Sequence, residues 1–325
     1  NYIQQQAQLL YDQIRKDIAA WHTIPFDMIR IDAFLDPVKQ TLQFIEINTR
    51  NVGMHEICEW LDTQLSEVLS AQRSASLNTL LVSNQHQLQQ EIVGNVDSLL
   101  YLSKPQIPRW LYFKELQRQY SEVVDCSDES TLTIQSDGVY YQGKRYKAIT
   151  KKYCWPLSDN LLHLALTEKI AMMQPEWMRA IGHKDYLAKL DHPAVASSRV
   201  VVENVIQEAL AHKDELVLKV IDSGNSKSVY LGKQTAPKAW KQLLEIALQQ
   251  AGQWIIQEFI TPHNLPIVVH GVGPAKPPVQ LGVFILPDRQ ASARCVVDVV
   301  ATACVGRPDS FLFDPSGYDA SLLFV

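Results

Sequence analysis

Residues 28–54, MIRIDAFLDPVKQTLQFIEINTRNVGM, contain two strand-like runs on either side of an Asp-Pro turn signal. Side chains alternate between the two faces of a strand. If the runs pair about this turn, Asp32 lies opposite Glu46 and Arg30 lies opposite Asn48. Directly opposed side chains have Cβ atoms about 4.5–5.5 Å apart. The stretch therefore predicts a hairpin that brings two carboxylates together.

Two carboxylates at this distance repel each other, and sheets avoid such opposed pairs unless a cation offsets the charge. A hard divalent cation with oxygen ligands, such as Mg²⁺, supplies that offset. Asp32, Glu46 and Asn48 are therefore candidate metal ligands. Arg30 beside them is a candidate catalytic residue, because a guanidinium can hold a transferring phosphoryl group.

The alternative for this cluster is an ordinary solvated face. The pattern favours the margin of a site, because Phe34, Leu42 and Phe44 make the other end of the same predicted face apolar. A polar cluster at one end of a half-buried face is more typical of a site than of open surface.

The composition indicates a soluble globular protein, with 46% apolar and 20% charged residues among 325. This length predicts two or three packed units that share one site. The net charge of −5 argues against a nucleic-acid partner. The sequence has no run of about 18 uncharged apolar residues, so no membrane partner is expected.

The cysteines give an expectation about the compartment. There are five, an odd number, and no two have C-x-x-C spacing, so neither a disulfide framework nor a zinc knuckle is expected. A reducing cytosol fits this usage, and a cytoplasmic location is the expectation. The N-terminus shows no signal-peptide pattern, and the sequence leaves open what precedes Asn1.

Beyond the hairpin, hydrophobic periodicity predicts an α+β chain. Strand-like and helical segments alternate over residues 77–125, which predicts a small parallel sheet with helical crossovers. Residues 158–190 are predicted to be mostly helical, with a break near Pro175. Three short strands that include a hairpin are predicted at 131–136, 138–142 and 146–153. The other predicted elements are helices at 7–21, 54–72, 204–212 and 237–251 and strands at 199–202, 216–221, 228–232, 254–260, 281–286 and 293–301.

A basic cluster lies in and just after the predicted hairpin. It has two interpretations, a solvated hairpin face or a wall that faces phosphate groups, and the residue pattern leaves both open. The cluster consists of Lys144, Arg145, Lys147, Lys151 and Lys152.

The pattern R-x-D…E-x-N followed by T-x-x-x-G-M, in RIDAFLD…FIEINTRNVGM, resembles the metal-binding strands of the ATP-grasp superfamily. In most members this motif lies near the C-terminus, after the nucleotide lobes. Here it comes first, an order that resembles the circularly permuted branch that includes glutathionylspermidine synthase. The resemblance implies an α+β ATP-grasp architecture, circularly permuted, with a small Rossmann-like α/β subdomain.

The resemblance also implies a division of the chain into three parts. Residues 1–75 would carry the metal-binding strand pair and its flanking helices. Residues 76–155 would form the Rossmann-like subdomain and the hairpin, and residues 156–325 would form the nucleotide lobes.

Three lysines match nucleotide-binding positions of the family. Lys184 in IGHKDYLAKL resembles the lysine of a short helix that reaches the phosphates. Lys219 in LVLKVIDSGNSKSVYLG resembles the strand lysine that contacts the α and β phosphates, which makes it a candidate catalytic residue as well. Lys152 falls where the permuted branch carries basic residues. From the residues alone, Lys184 can instead be a solvated helix lysine, and Lys219 can extend its ammonium to the surface.

The segment WIIQEFI resembles the linker between the lobes. The resemblance implies that backbone groups of Gln257, Glu258 and Phe259 read the adenine edge and that Glu258 lies near the sugar. In the lid loop DSGNSKS, Gly224 is the only glycine, whereas active relatives usually have several. Ser226 and Lys227 would replace them as phosphate-binding groups, or else the lid is degenerate.

Arg50 lies in the loop that faces the acceptor substrate in unpermuted relatives. It is a candidate for gripping a substrate carboxylate, and a surface arginine is the alternative.

These features together predict an ATP- and Mg²⁺-dependent carboxylate–amine ligase that forms a peptide bond through an acyl phosphate. Its partners would be small-molecule or peptide carboxylates and amines. One alternative is a catalytically degenerate ATP-grasp-like binding or scaffold protein, and another is a small-molecule kinase that uses the same nucleotide clamp. The oligomeric state stays open, with a homodimer as one arrangement.

Overall fold

The early hairpin forms and is part of a five-stranded antiparallel sheet with the strand order β18-β17-β16-β1-β2. Its strands are β1 (Ile29–Asp36), β2 (Thr41–Asn48), β16 (Val279–Pro287), β17 (Cys295–Val305) and β18 (Asp319–Phe324). The predicted pairing is confirmed, because Arg30 lies opposite Asn48 and Asp32 lies opposite Glu46. The computed structural model describes residues 2–19, 29–36, 39, 41–49, 98–103, 116–117, 120–126, 128–152, 157–167, 169–173, 176–222, 228–264, 266–269, 273–276, 278–287, 295–305 and 319–324.

A β-bulge at Ile45 interrupts the ladder between β1 and β2. The register steps from Asp32 opposite Glu46 to Ala33 opposite Phe44, so Ile45 has no partner on β1. A bulge of one residue reverses which face the following side chains occupy. The prediction that Leu42 and Phe44 share a face with Glu46 is therefore wrong, because the bulge turns them to the other face.

That other face is the core of the sheet. Leu42 and Phe44 are fully buried there, together with Ile31 and Ala33 of β1. Phe34, by contrast, lies opposite Gln43 on the face of Asp32, as the alternation along β1 predicts. The bulge thus lets one strand supply both apolar core residues and polar site residues.

Helix α1 (Tyr2–Ala19) covers this core. Leu10 and Ile14 of the predicted apolar stripe are fully buried in it. The helix begins earlier than residue 7, and the predicted positions 20–21 lie outside the described residues. Within the described part of the chain, no helix has the length and apolar character needed to cross a membrane.

A four-stranded sheet with the order β4-β3-β8-β9 is parallel throughout. It consists of β3 (Ser98–Ser103), β4 (Glu122–Cys126), β8 (Ala148–Lys152) and β9 (Ala171–Met172). Its β3–β4 pair confirms the parallel pairing predicted within residues 77–125. The predicted strand at 146–153 is not the last strand of the hairpin region, because Ala148–Lys152 pairs in parallel with β3 instead. The predicted elements at 54–72 and 77–94 lie outside the described residues.

A small antiparallel sheet of three strands precedes β8, with the order β5-β6-β7. Its strands are β5 (Leu132–Gln135), β6 (Gly138–Tyr141) and β7 (Lys144–Tyr146). The turn between β6 and β7 holds Gln142 at φ 51° and Gly143 at φ 78°. Two successive positive φ values are typical of the two-residue hairpin turn, in which glycine is favoured.

Residues 158–190 are less helical than predicted. The segment contains α2 (Asp159–Leu166), β9, a 3-10 turn and the two short helices α3 (Arg179–Gly182) and α4 (Lys184–Leu187). Met172 and Met173 are buried at β9 and just after it.

A second antiparallel sheet, with the order β10-β13-β11-β12, carries the second half of the predicted site. Its strands are β10 (Ser198–Val200), β11 (Leu216–Val220), β12 (Val229–Leu231) and β13 (Trp254–Glu258). Helices α5 (Glu203–Ala211) and α6 (Pro237–Gln249) pack on one face. Trp240 of α6 is fully buried between them and donates its indole N–H to the carbonyl of Ala209 at 2.9 Å.

The two antiparallel sheets are joined along the outer edge of β2. Phe44 donates its N–H to the carbonyl of Ala194 at 2.6 Å and accepts from the N–H of Ala196 at 2.9 Å. The same segment continues directly into β10. Between β13 and β16 along the chain, β14 (Ile267–Val269) and β15 (Gly273–Ala275) form a short antiparallel hairpin.

Candidate active site

The polar residues of β1 form an ion pair at the open face of the hairpin. Arg30 Nε donates to Asp32 Oδ1 at 2.8 Å, and Arg30 Nη2 donates to Asp32 Oδ2 at 3.3 Å. Both carboxylate oxygens of Asp32 thus accept from one guanidinium, which is the geometry that makes such pairs specific.

Gly282 of β16 makes room for this pair. It lies opposite Asp32, and a Cβ at this position would stand 3.2 Å from Cδ of Arg30. The Arg30 side chain therefore crosses the sheet where β16 has no side chain. Gly282 was not among the predicted site residues, although a glycine inside a strand is a sequence signal for such a close approach.

Lys184 reaches the cluster from α4. Its ammonium lies 3.6 Å from Glu46 Oε1, and the side chain is only 3% exposed. The segment just before α4 lies close to the chain just after β2, because a Cβ on Gly182 of α3 would stand 2.4 Å from Oγ1 of Thr49. Tyr186 holds the other side of the helix by donating to Asp17 of α1 at 2.7 Å. The solvated-lysine interpretation of Lys184 is therefore wrong.

Lys219 reaches the same place from β11. Its ammonium donates to Gln257 Oε1 at 2.6 Å and to the carbonyl of Ile45 at 3.4 Å. The residue is 6% exposed, so its ammonium does not extend to the surface. The pKa of the Lys219 ammonium is lowered to about 8, chiefly by burial and also by nearby Lys184, whereas Glu46 and Asp32 partly offset the shift.

The structure thus collects charged side chains from β1, β2, α4 and β11. Three cations face two carboxylates, which leaves one formal positive charge. The sequence predicts that a divalent cation offsets the two carboxylates. Protein cations already do so here, because Arg30 pairs with Asp32 and Lys184 pairs with Glu46.

The amide of Asn48 is the polar group in this cluster whose hydrogen bonding is incomplete. Its Nδ2 is buried and has no hydrogen-bond partner among the residues that the structure describes. The two ends of an amide exchange places by a half-turn, so a ligand near this atom can meet either a donor or an oxygen. Among the described residues, no three His, Cys, Asp or Glu side chains gather as a metal-binding group.

At the end of β13, the backbone N–H groups that the hypothesis assigns to adenine already donate to protein carbonyls. The N–H of Glu258 donates to the carbonyl of Ser197 at 2.8 Å, and the N–H of Phe259 donates to that of Glu215 at 2.7 Å. Lys233 lies over the Phe259 ring, with its Nζ 4.2 Å from the ring centroid. The Gln257 side chain is buried and faces Lys219, and the Glu258 side chain is exposed.

Ion pairs connect the Lys184 segment with the base of the lid loop. Arg179 of α3 donates through Nη2 to the carboxylate of Asp222, which follows β11. His183 Nε2 lies 3.9 Å from the same carboxylate. Gly224, Ser226 and Lys227 lie outside the described residues.

Two further predicted site residues have no described side chain. Arg50 lies outside the described residues. Lys152 is placed only by its backbone, opposite Ser103 at the end of β8. Lys151 beside it is 8% exposed and does not belong to a solvated face. In the hairpin, by contrast, Lys144 and Arg145 are exposed and pair with Glu122 and Asp137.

No family model matches the sequence, and no curated protein matches it. Solved structures do match. A crystal structure described as a "putative gamma-glutamylcysteine synthetase" from Methylobacillus flagellatus KT matches 99% of this chain and 87% of its own, at a TM-score of 0.54 and 9% identity.

Other solved structures match with lower scores. A RimK domain ATP-grasp protein from Sphaerobacter thermophilus DSM 20745 covers 62% of this chain and 90% of its own, at a TM-score of 0.32 and 14% identity. The D-cycloserine synthetase DcsG covers 69% of this chain and 74% of its own, at a TM-score of 0.37 and 18% identity. Such scores add nothing to the comparison of folds. The chain therefore shares its mixed α and β fold, over nearly its whole length, with the Methylobacillus flagellatus protein.

Proposed function

We propose that this protein is an ATP- and Mg²⁺-dependent carboxylate–amine ligase of circularly permuted ATP-grasp type, which forms a peptide bond through an acyl phosphate. The observation that carries the proposal is the cluster in which Arg30, Lys184 and Lys219 converge on Asp32 and Glu46. These residues come from four separate elements, and each buried charge has a cost that folding alone does not require.

The cluster's charge suits a polyanion. Its formal excess of one positive charge favours an anionic ligand, and two of its cations are almost fully buried. Inside a low-dielectric site such charges act more strongly than in water. Lys219 and Lys184 would bind the phosphates of ATP, and Arg30 would stabilise the charge that develops as the γ-phosphoryl group passes to a carboxylate. An amine would then displace phosphate from the acyl phosphate.

The residues present fit a magnesium ion at the hairpin. Each carboxylate oxygen has more than one lone pair, so Asp32 can bind a cation while it accepts from Arg30, and Glu46 can do so while it keeps its ion pair with Lys184. The amide of Asn48, whose buried Nδ2 has no partner among the described residues, can turn to supply a third oxygen. When bound, Mg²⁺ would neutralise charge on the phosphates. The chain's own cations orient the carboxylates that would hold it.

The remaining site residues keep the roles that the family resemblance implies. Lys152, Ser226 and Lys227 would contact phosphates, and Arg50 would grip the substrate carboxylate. The strand pair precedes the nucleotide lobes along the chain, with the boundaries 1–75, 76–155 and 156–325. In support, the hairpin of residues 29–48 meets the sheet of residues 198–258 at one cluster.

The Methylobacillus flagellatus protein of the same fold bears the name of a synthetase of γ-glutamylcysteine. Precursor peptides occur in matched ATP-grasp complexes, such as the macrocyclase MdnC bound with the peptide MdnA. Amino acids and short peptides are therefore the substrates to try first.

A second candidate is a binding or scaffold protein that has lost nucleotide chemistry. One observation favours it: the backbone N–H groups of Glu258 and Phe259 already donate to protein carbonyls. A base at this strand end would have to be read by other groups.

Calorimetry with Mg-ATP separates the two candidates, since a scaffold should show no binding at millimolar nucleotide. Purified protein is then incubated with Mg-ATP and pools of amino acids and peptides, and the products are analysed by mass spectrometry. A ligase gives ADP and a condensation product. A stable phosphorylated product without condensation would instead identify a small-molecule kinase.

A further inference from the structure

The side chain of Gln257 has no assigned role in the proposed reaction, for which only its backbone was considered. We infer that Gln257 is a positioning residue whose side-chain amide holds the Lys219 ammonium against the bulge carbonyl of Ile45, beside the carboxylates of the hairpin. The inference rests on the proposed function only in taking nucleotide phosphates as the anion that Lys219 meets.

The bulge creates the acceptor. Ile45 has no partner on β1, and its carbonyl accepts from two side chains of the other sheet, Lys219 Nζ at 3.4 Å and Gln257 Nε2 at 3.3 Å. Gln257 and Lys219 lie on adjacent strands, β13 and β11, and bond directly at 2.6 Å. The three groups therefore form a closed ring of contacts between the sheets.

Gln257 is itself fixed from behind. Its Nε2 donates to Ser198 Oγ at 2.8 Å, and Ser198 Oγ donates to the carbonyl of Ala196 at 2.8 Å. These hydrogen bonds fix the orientation of the Gln257 amide, because its NH₂ group must face the two acceptors and its oxygen must face Lys219. Gln257 is only 1% exposed, and its amide cannot rotate without leaving polar groups unpaired.

The hydrogen bonds of Lys219 leave one of its N–H donors for a ligand. An ammonium has three N–H donors. In the described part of the chain, Lys219 uses one on Gln257 and one on Ile45. The third is available to a ligand, and Glu46, Asp32 and Lys184 are the charged groups close enough to act on the pKa of Lys219. Gln257 thereby points the lysine toward the place where an anion would sit.

A double-mutant cycle on nucleotide affinity tests the inference. Gln257→Leu keeps the size of the side chain and removes its hydrogen bonds. Acting through Lys219, it should weaken Mg-ATP binding about tenfold in the wild-type background and less than about twofold in a Lys219→Met background. Gln242→Leu, on the exposed face of α6, is the matched control and should change neither. Equal losses in both backgrounds would overturn the inference.

A second measurement uses the protein without nucleotide. A brief pulse of an acylating reagent modifies only unprotonated amines, and mass spectrometry reports the modified fraction of Lys219 relative to exposed Lys241. Gln257→Leu should raise the labelling of Lys219 about fivefold or more, because a lost hydrogen bond to the ammonium favours the neutral amine. Gln257→Glu keeps an acceptor for Lys219 and should label as slowly as the wild type.

The two variants separate positioning from packing. A purely structural role predicts faster labelling in both, since a buried carboxylate disturbs packing at least as much as leucine does, and that result would refute the inference. If wild-type protein does not bind Mg-ATP, the proposed function fails, and the labelling experiment still decides the role of Gln257.

Discussion

The protein treats two groups of cations in opposite ways. Lys184 and Lys219, at the junction of the two antiparallel sheets, are 3% and 6% exposed. Lys144 and Arg145, in the three-stranded hairpin sheet, have side chains 46% and 39% exposed. All four lie near carboxylates. The two groups differ in how far their side chains are exposed to water.

This difference indicates what each group is for. Exposed ion pairs contribute about 0–1 kcal/mol, and their formation requires little of the fold. Taking an ion out of water costs several kcal/mol, which a single ion pair seldom recovers in full. Cations are buried at the junction of the two antiparallel sheets, whereas those of the β5–β6–β7 sheet stay exposed to water. A charge cluster that folding does not require is a candidate for function.

The largest effect is expected from Glu46→Gln. The change removes a proposed metal ligand and the partner of buried Lys184, so ADP release should fall at least about 100-fold. The free energy of unfolding should fall by about 1–3 kcal/mol, because Lys184 keeps its charge and loses this ion pair. Steady-state kinetics and denaturant unfolding measure the two effects. Glu203→Gln, at an exposed position on α5, is the control; unchanged turnover in Glu46→Gln would remove Glu46 from the site.

Lys219→Met should act next most strongly, and in opposite senses on binding and stability. A hydrogen bond to a charged group contributes about 1.5–3 kcal/mol, so Mg-ATP should bind about 10- to 100-fold more weakly. The variant should unfold at an equal or higher temperature, because it no longer buries a charge. Calorimetry and thermal unfolding test this, with exposed Lys241→Met as the control. Wild-type affinity in Lys219→Met would break the contrast between the two groups of cations.

The pKa of Lys219 sharpens the comparison through pH. Because its pKa is about 8 in the fold and about 10.4 in an unfolded chain, the unfolded state binds more protons between these values. The stability contribution of Lys219 is therefore complete above about pH 10.4 and is lost as pH falls through 8. The stability advantage of Lys219→Met over wild type should shrink by about 3 kcal/mol between pH 7 and pH 10.5.

Binding should follow the opposite course. A neutral Lys219 attracts phosphate less, so the affinity of the wild type for Mg-ATP should fall as pH rises through about 8. In Lys219→Met this step should be missing. A wild-type affinity that stays level from pH 7 to pH 9 would contradict the assignment of Lys219 to the phosphates.

The smallest effect on stability and on nucleotide affinity is expected from the exposed cations of the β5–β6–β7 sheet. Lys144→Ala and Arg145→Ala should each change the free energy of unfolding by less than about 1 kcal/mol, and less still at high salt. Neither should alter Mg-ATP affinity by more than about twofold. A large loss of affinity would revive the interpretation of the hairpin cations as a phosphate wall.

Local patterns in the sequence predicted much of the fold. Alternation along β1, the turn that follows it and the strand–helix alternation that precedes β4 predicted the hairpin and the parallel sheet, since these depend on neighbouring residues. The bulge at Ile45 was not predicted, because the even spacing of Leu42, Phe44 and Glu46 looks like one unbroken face. β9 and β18 escaped notice because they are short or lie in a tail without a clear period.

The candidate site was predicted in its residue types more than in its connections. Asp32, Glu46, Lys184 and Lys219 were named, and the structure brings them together. Their mutual pairing was not predicted, and neither was the side-chain role of Gln257, which lies 212 positions from Ile45 in sequence. Contacts at such separations leave no local periodicity, so only the folded chain reveals them.

The pairing of residues 194–196 with Phe44 has a consequence for self-association. β2 is the outermost strand of its sheet, and an open strand edge is a template on which another chain can add. Two backbone hydrogen bonds, from Phe44 to Ala194 and from Ala196 to Phe44, occupy the middle of that edge. A proline at position 196 would remove one of these donors. It would therefore expose a strand edge on which another chain can pair, and it would weaken the contact of the segment before β10 with β2.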